Sequence, residues 1–273
     1  MKKNNMGYSN LTRYELYKNA YRTINEVDNL FIKTEEIKQL FYNSAVIIEG
    51  FEPRILEDRE VTLSDFENLL LRNMERIDNE QVFANAITES LRKLREEKKK
   101  ELTYKDYFRF LLKSVAEYQN KIINKAYHAT VGYETLKKNR KQTFLSYAYY
   151  DKGLSLALFY YFWNKLGFLY IDWMWKGPNK NGRVTKISLE KALEESEQLL
   201  FLRTTNSEMH VQGNNNSIRQ WCSWEIGNFY TKKQSEKYYT SFYDTTPPRN
   251  DLLDTFRPLE NVENGYIRPY AGI

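Results

Sequence analysis

Cysteine is nearly absent from this chain of 273 residues: there is one, Cys222. A single thiol rules out an internal disulfide, a Cys-x-x-Cys redox pair and any site built from several thiolates, and it fits a reducing compartment. Histidine is almost as scarce. His128 and His210 are the only two, and neither has neighbours in a metal-ligand pattern, so both read as structural or solvent-facing and no metal is expected. The longest apolar run, Leu154 to Trp163, covers about half of the roughly twenty residues a membrane span needs. Met1-Lys2-Lys3-Asn4-Asn5 leads into Tyr8-Ser9-Asn10 rather than an apolar stretch, so no signal peptide is expected. These absences predict a cytoplasmic protein.

No charge of one sign dominates. The net charge is +5, with 41 basic and 36 acidic residues interspersed. Lys98-Lys99-Lys100 and Lys137-Lys138-Asn139-Arg140 are the basic clusters, and both read as solvated helix ends or linker. No nucleic-acid surface is expected. Hydrophobic residues make up 41% and aromatics 15%, enough apolar area to offset the entropy of ordering a globular chain.

The first half is patterned as helices. Thr12-Arg13-Tyr14-Glu15 and Ser64-Asp65-Phe66-Glu67 have the form of capping boxes. Leu16, Ala20 and Ile24 follow the first at helical spacing, and a further helix is expected over 35–41. Ile87, Ser90 and Leu91 belong to a stripe of period 3.6 that runs from Val82 to Leu94. Thr103 with Asp106 caps a long amphipathic face from Phe108 to Ile122. None of these helices carries a catalytic pattern. Residues 1–135 are read as an all-α domain for assembly or regulation, and the polar segment 132–140 as the boundary.

From Lys141 onward strand and helix signals alternate. Strands are expected at 143–147, 168–171, 198–202 and 238–242. Helices are expected at 153–166, with Gly167 as a left-handed cap, and at 187–195. A turn-rich loop runs from Gly177 to Gly182, whose spacing lacks the Lys-Ser/Thr of a phosphate loop. A long polar loop, 204–217, leads into a helix with Trp221-Cys222-Ser223-Trp224-Glu225-Ile226. The alternation implies βαβ units in a mainly parallel sheet, an α/β fold over 141–273. Ligands of such sheets sit beyond the carboxyl ends of the strands. That places Tyr147 and Tyr149, at the end of the first strand, among candidate site-lining residues. Asp172 closes the second strand, where it shapes the loop or meets a ligand. Trp221 and Glu225 lie four apart, hence on one face of a helix.

Four short stretches carry a resemblance. Phe144-Leu145-Ser146-Tyr147 followed by Asp151, Leu166-Gly167-Phe168-Leu169-Tyr170-Ile171-Asp172, Ile187 with Leu189 to Ser196, and Trp221-Cys222-Ser223-Trp224-Glu225-Ile226 occur in the order found in Toll/interleukin-1 receptor (TIR) domains. The segment resembles bacterial TIR proteins of anti-phage defence that cleave NAD+. The departures are a longer, Asn-rich loop before Trp221, the bulky Trp173-Met174-Trp175 after Asp172, and a C-terminal stretch from Thr245 without an obvious last strand and helix.

The resemblance implies a flavodoxin-like fold and a catalytic Glu225 acting at the nicotinamide–ribose bond. NAD+ is then the substrate, with no separate cofactor. The products are nicotinamide with ADP-ribose, or a cyclic or derived signalling nucleotide. Trp221 and Trp173, with Trp175, are candidates to stack on the substrate's rings, beside Tyr147, Tyr149 and Asp172. The resemblance also implies a homo-oligomer through TIR contacts, and a separate effector protein as a partner. A TIR module that assembles without catalysis is the alternative. Cys222 reads as a small buried hydrophobe.

Overall fold

The structure, a computed structural model, describes residues 11–27, 30–51, 60–77, 81–96, 102–126, 132–175, 186–209, 217–233, 237–243 and 252–269. In chain order the elements are α1 (Arg13–Thr23), α2 (Thr34–Glu49), β1 (Glu60–Val61), α3 (Leu63–Met74), α4 (Gln81–Glu96), β2 (Leu102–Thr103), α5 (Tyr104–Ala126) and α6 (Tyr133–Lys137). They continue as β3 (Lys141–Ser146), α7 (Lys152–Asn164), β4 (Gly167–Tyr170), α8 (Lys186–Glu195), β5 (Gln198–Arg203), β6 (Glu208–Met209), β7 (Ser217–Ile218), α9 (Gln220–Lys233), β8 (Tyr238–Phe242), β9 (Arg257–Glu263) and β10 (Tyr266–Pro269).

The capping chemistry sets where the first helices begin. Thr12 accepts from the Glu15 amide, and the Glu15 carboxylate accepts from the Thr12 amide at 2.9 Å. Thr103 and Asp106 exchange the same pair of bonds before α5. The second capping box lies two residues earlier than its sequence form suggests. Thr62, with extended backbone, is the cap and Asp65 its partner, so Ser64 falls inside the first turn of α3. An N-cap must stand outside the helix while its oxygen reaches the third helical amide, and Thr62 meets both conditions.

The main sheet has the order β10-β9-β8-β5-β3-β4. Neighbours from β4 to β9 pair in parallel, and β10 closes the edge antiparallel to β9. From the β4 edge the parallel strands run second, first, third, fourth, fifth in chain order, as in doubly wound sheets of the flavodoxin type. All of β4 and β5 and all but the first residue of β3 are buried, as parallel strands covered on both faces must be.

α7 joins the two halves. Every residue from Lys152 to Phe162 is buried, because α1 and α5 pack against the helix and it packs against β4. A helix apolar around its whole circumference needs such a site. Tyr17 stacks on Phe41 at 6.1 Å, and Phe41 meets Tyr160 edge-on at 5.9 Å. Asn164 donates to the Thr23 hydroxyl at 2.6 Å. One hydrophobic cluster therefore takes in both the helical segment and the sheet. No helix among the described residues is long and apolar enough to cross a membrane.

The end of α7 and the end of the chain correct two expectations. The left-handed residue after α7 is Leu166 (φ 61°), not Gly167. Gly167 instead opens β4, where a Cβ would lie 3.2 Å from the Cα of Gly265. Gly265 belongs to the two-residue turn Asn264-Gly265, both at positive φ, that joins β9 to β10. Asn-Gly is the strongest short hairpin signal. The chain end thus forms a hairpin across the amino-terminal edge of the sheet. Gly265 donates its amide to the Lys165 carbonyl at 2.7 Å and Ile267 to Gln198 Oε1 at 2.8 Å.

Tyr160 is fully buried, and its hydroxyl has no hydrogen-bond partner among the described residues. Tyr160→Phe is therefore expected to leave stability unchanged or raise it by about 1 kcal/mol. Phe159→Ala should cost about 3–5 kcal/mol through the cavity it opens. Urea denaturation of both variants checks the pair; a destabilised Tyr160→Phe would mean that the hydroxyl is satisfied.

Candidate active site

The helix α9 is fixed by its apolar stripe. Cys222, Ile226 and Phe229 face inward, Phe229 meets Tyr238 of β8 edge-on at 5.2 Å, and the Tyr238 hydroxyl donates to the Ile226 carbonyl at 2.8 Å. Glu225 falls on that same stripe, so the fold carries a carboxyl group inward at the second turn of the helix. It is 4% exposed. It ends against the last residue of β3, where the Ser146 hydroxyl donates to it at 2.6 Å.

Burial pushes the Glu225 carboxyl well above the ordinary carboxylate range. The Ser146 hydrogen bond opposes that shift, Asp172 adds to it, and a hydrogen bond from Trp221 opposes it. The Trp221 ring itself is 50% exposed and stacks on Trp224 at 5.3 Å. One helical face thus presents a buried acid and, one turn earlier, an open aromatic surface. Arg219, Gln220, Trp221 and Trp224 line an open cleft of about 620 Å³ there.

The loop after β3 supplies the next group. The Tyr147 hydroxyl donates to Asp172 Oδ1, and the Tyr147 carbonyl accepts from the Cys222 thiol at 3.5 Å. Burial, then Asp172, raises the Tyr147 phenol well above its usual value, so it stays a donor. Burial and the nearby Glu225 push the Cys222 thiol up to about 12, which leaves it protonated and unreactive.

The structure therefore brings Glu225, Tyr147 and Asp172 into one cluster, with Trp221 at its edge. Tyr149 stands apart: it is exposed, with the Lys152 ammonium 4.2 Å from its ring centroid. Trp173 is 3% exposed, turned inward with its indole nitrogen 3.5 Å from the Ser155 hydroxyl. In this arrangement it offers no face to a ligand. Trp175 packs against Tyr133 and Phe168. The loop Gly177–Gly182, His128, His210 and Lys98-Lys99-Lys100 lie outside the described residues. Among the described residues, no group of three or more His, Cys, Asp or Glu is placed to hold a metal.

Sequence reasoning passed over two contributors. Ser146 sits within the first strand, where strict alternation would have marked it as the side chain beside the last apolar residue, Leu145. Asp151 is buried and accepts from the Thr204 hydroxyl at 2.6 Å and from Asn206 Nδ2 at 2.8 Å. It ties the loop after β3 to the loop after β5, the position where the strand order reverses and ligands of such sheets bind.

Compared with protein-family models, curated proteins and solved structures, the chain shows no match.

A carboxyl group this buried costs stability when ionised. Its raised affinity for a proton means that, from the ordinary carboxylate range up to its own titration, the folded chain binds more protons than the unfolded one. Stability then falls as pH rises through that window. Glu225→Gln keeps an acceptor for Ser146 and removes the charge. The variant should melt above the wild type at about pH 8, with the gap closing toward about pH 4. A gap that is the same at both pH values, read by thermal unfolding, would show that Glu225 titrates normally.

Proposed function

We propose that this chain cleaves the nicotinamide–ribose bond of NAD+, as TIR enzymes do, with Glu225 as the catalytic carboxylate. The observation that carries the reading is a buried acid, held by Ser146, at the carboxyl end of the first strand of a flavodoxin-ordered sheet. The four ordered sequence motifs support it further. On this reading the domain is a TIR fold.

The chemistry suits one carboxylate. The C1′–N bond breaks with its electron pair leaving on nicotinamide, which departs neutral, so no general acid is required. Positive charge develops on the ribose, and a fixed carboxylate in a dry site stabilises it. Water then adds at C1′ and loses a proton, giving ADP-ribose. If water is kept out, a nitrogen of the substrate's own adenine closes a ring instead. The cationic nicotinamide ring also resolves the raised proton affinity of Glu225. A positive charge brought beside a buried carboxyl favours its ionised form, so the substrate itself would charge the site. The open Trp221 face, backed by Trp224, suits stacking on a nicotinamide or adenine ring.

Assembly through TIR contacts, a role in anti-phage defence with a separate effector, and a cytoplasmic location complete the proposal. A purely scaffolding module is the alternative; the exposed Trp221, stacked on half-buried Trp224, and Ile187, 78% exposed, would then serve contact rather than turnover.

Nicotinamide release from NAD+ tests the reading. Wild-type protein should turn over, and Glu225→Ala should lose about a thousandfold or more of that rate. In the active protein kcat/KM should climb as pH rises through the raised titration of Glu225, since the ionised form does the work. Unimpaired Glu225→Ala turnover would exclude this residue. Assembly with no turnover under any condition would favour the scaffold.

A further inference from the structure

A second cleft, about 310 Å³ in volume, opens where the helical segment meets the sheet. Its wall on one side is a single face of α5: Lys113, Ala116 and Glu117, at positions three and four apart. The other side comes from loops at the carboxyl edge of the sheet: Tyr150 after β3, Asn206 after β5, and Arg219 ahead of α9. We propose that this cleft is a ligand site separate from the Glu225 cluster, and that it takes a nucleoside monophosphate.

Position, charge and shape support the assignment. The loops after β3 and β5 flank the reversal in strand order, the place where doubly wound sheets bind ligands. The volume lies at the small end of ligand pockets, too little for a dinucleotide and enough for a mononucleotide. Two cations, Lys113 and Arg219, meet one acid, Glu117, so the lining carries one net positive charge. Among the described residues neither cation is engaged in an ion pair; Arg219 spends its Nε on the Asn206 carbonyl and keeps its terminal nitrogens. A guanidinium and an ammonium in one lining suit a phosphate. The Tyr150 ring is 52% exposed and lies 5.9 Å from the Arg219 guanidinium, which suits a stacked base. Glu117 is then the acceptor for ribose hydroxyls or an exocyclic amine. Ala116 leaves the space that a larger side chain would fill.

The wall is held firmly. Asn120, on the same helix, donates to the Tyr150 carbonyl at 2.8 Å and accepts from the Lys152 amide at 3.2 Å. Asp151 links that turn to Asn206 at 2.8 Å. A ligand here touches α5, both loops and the residue that leads into α9.

Isothermal titration of the full chain tests the site with adenosine monophosphate as the probe, beside adenosine and inorganic phosphate. The monophosphate should bind at least about tenfold more tightly than either fragment. Lys113→Glu and Tyr150→Ala, both changes at the surface, should each weaken it by about tenfold or more. Trp221→Ala and Glu225→Gln should bind it as the wild type does. This last pair separates the proposal from the NAD+ reading, because binding persists whether or not Glu225 is catalytic. No binding up to about 1 mM, or equal binding of adenosine, overturns the proposal. So does binding that ignores Lys113→Glu and Tyr150→Ala, or that is lost with Trp221→Ala, which would place the probe in the neighbouring cleft.

Discussion

The burial of α7 on every side is the constraint from which the rest of the structure follows. Eleven consecutive residues, Lys152 to Phe162, are withdrawn from water. Each large apolar side chain among them contributes about 1.5–3 kcal/mol relative to exposure. A sheet covers only one side of such a helix. The remaining surface needs a second layer, and α1 and α5 provide it. The helical segment is thus part of the core of the α/β unit. The same packing brings α5 to the loops at the carboxyl edge, where Asn120 grips both sides of Asp151.

Against that well-packed background, Glu225 is a local cost. It occupies a position on α9 where Cys222, Ile226 and Phe229 show that an apolar residue would fit. A buried carboxyl with one strong donor is worse for stability than a packed hydrophobe. Costs of this kind are expected where a group is needed for chemistry, since a buried, shifted acid is what a site uses and a core avoids. The surroundings are consistent with this. Ser146 supplies one hydrogen bond rather than a neutralising cation, and Tyr147 directs its hydroxyl to Asp172 and not to Glu225. Among the described residues no cation is paired with the carboxyl.

Much of this was legible in the residues, for reasons that can be named. Short apolar runs separated by helical spacing predicted the parallel strands β3, β4, β5 and β8, because burial on both faces favours runs rich in Leu, Phe and Tyr. The capping residues Thr12 and Thr103 predicted two helix starts, because few side chains satisfy orphan amides. What escaped was set by long-range contact. Gly167 looked like a helix cap, yet its lack of a side chain answers Gly265, about a hundred residues later in the chain. The β9–β10 hairpin carries the local signal Asn264-Gly265, but the stretch from Thr245 was read as lacking an obvious last strand and helix. Trp173 read as a candidate to stack on a substrate ring because nothing in sequence says that Ser155 and Lys152 will enclose it. Trp221, four residues from Glu225, did share its face, but period alone could not separate a buried acid from an open ring.

The two ends of the sheet now have different roles. At the amino edge the C-terminal hairpin closes the strands, through Gln198 to Ile267 and Glu197 to Tyr266. At the carboxyl edge the short antiparallel pair β6–β7 leads from β5 to α9. What stands there is a set of polar links: Ser146 to Glu225, Tyr147 to Asp172, Asp151 to Thr204 and Asn206, and Asn206 to Arg219. Hydrogen bonds to buried partners are directional, so they hold loops in one arrangement where apolar contacts would tolerate several. Asp151 is the central member, since it spans from the turn gripped by α5 to the loop that contacts Arg219. These links join the helical segment, through α5, to the start of the helix that carries Glu225.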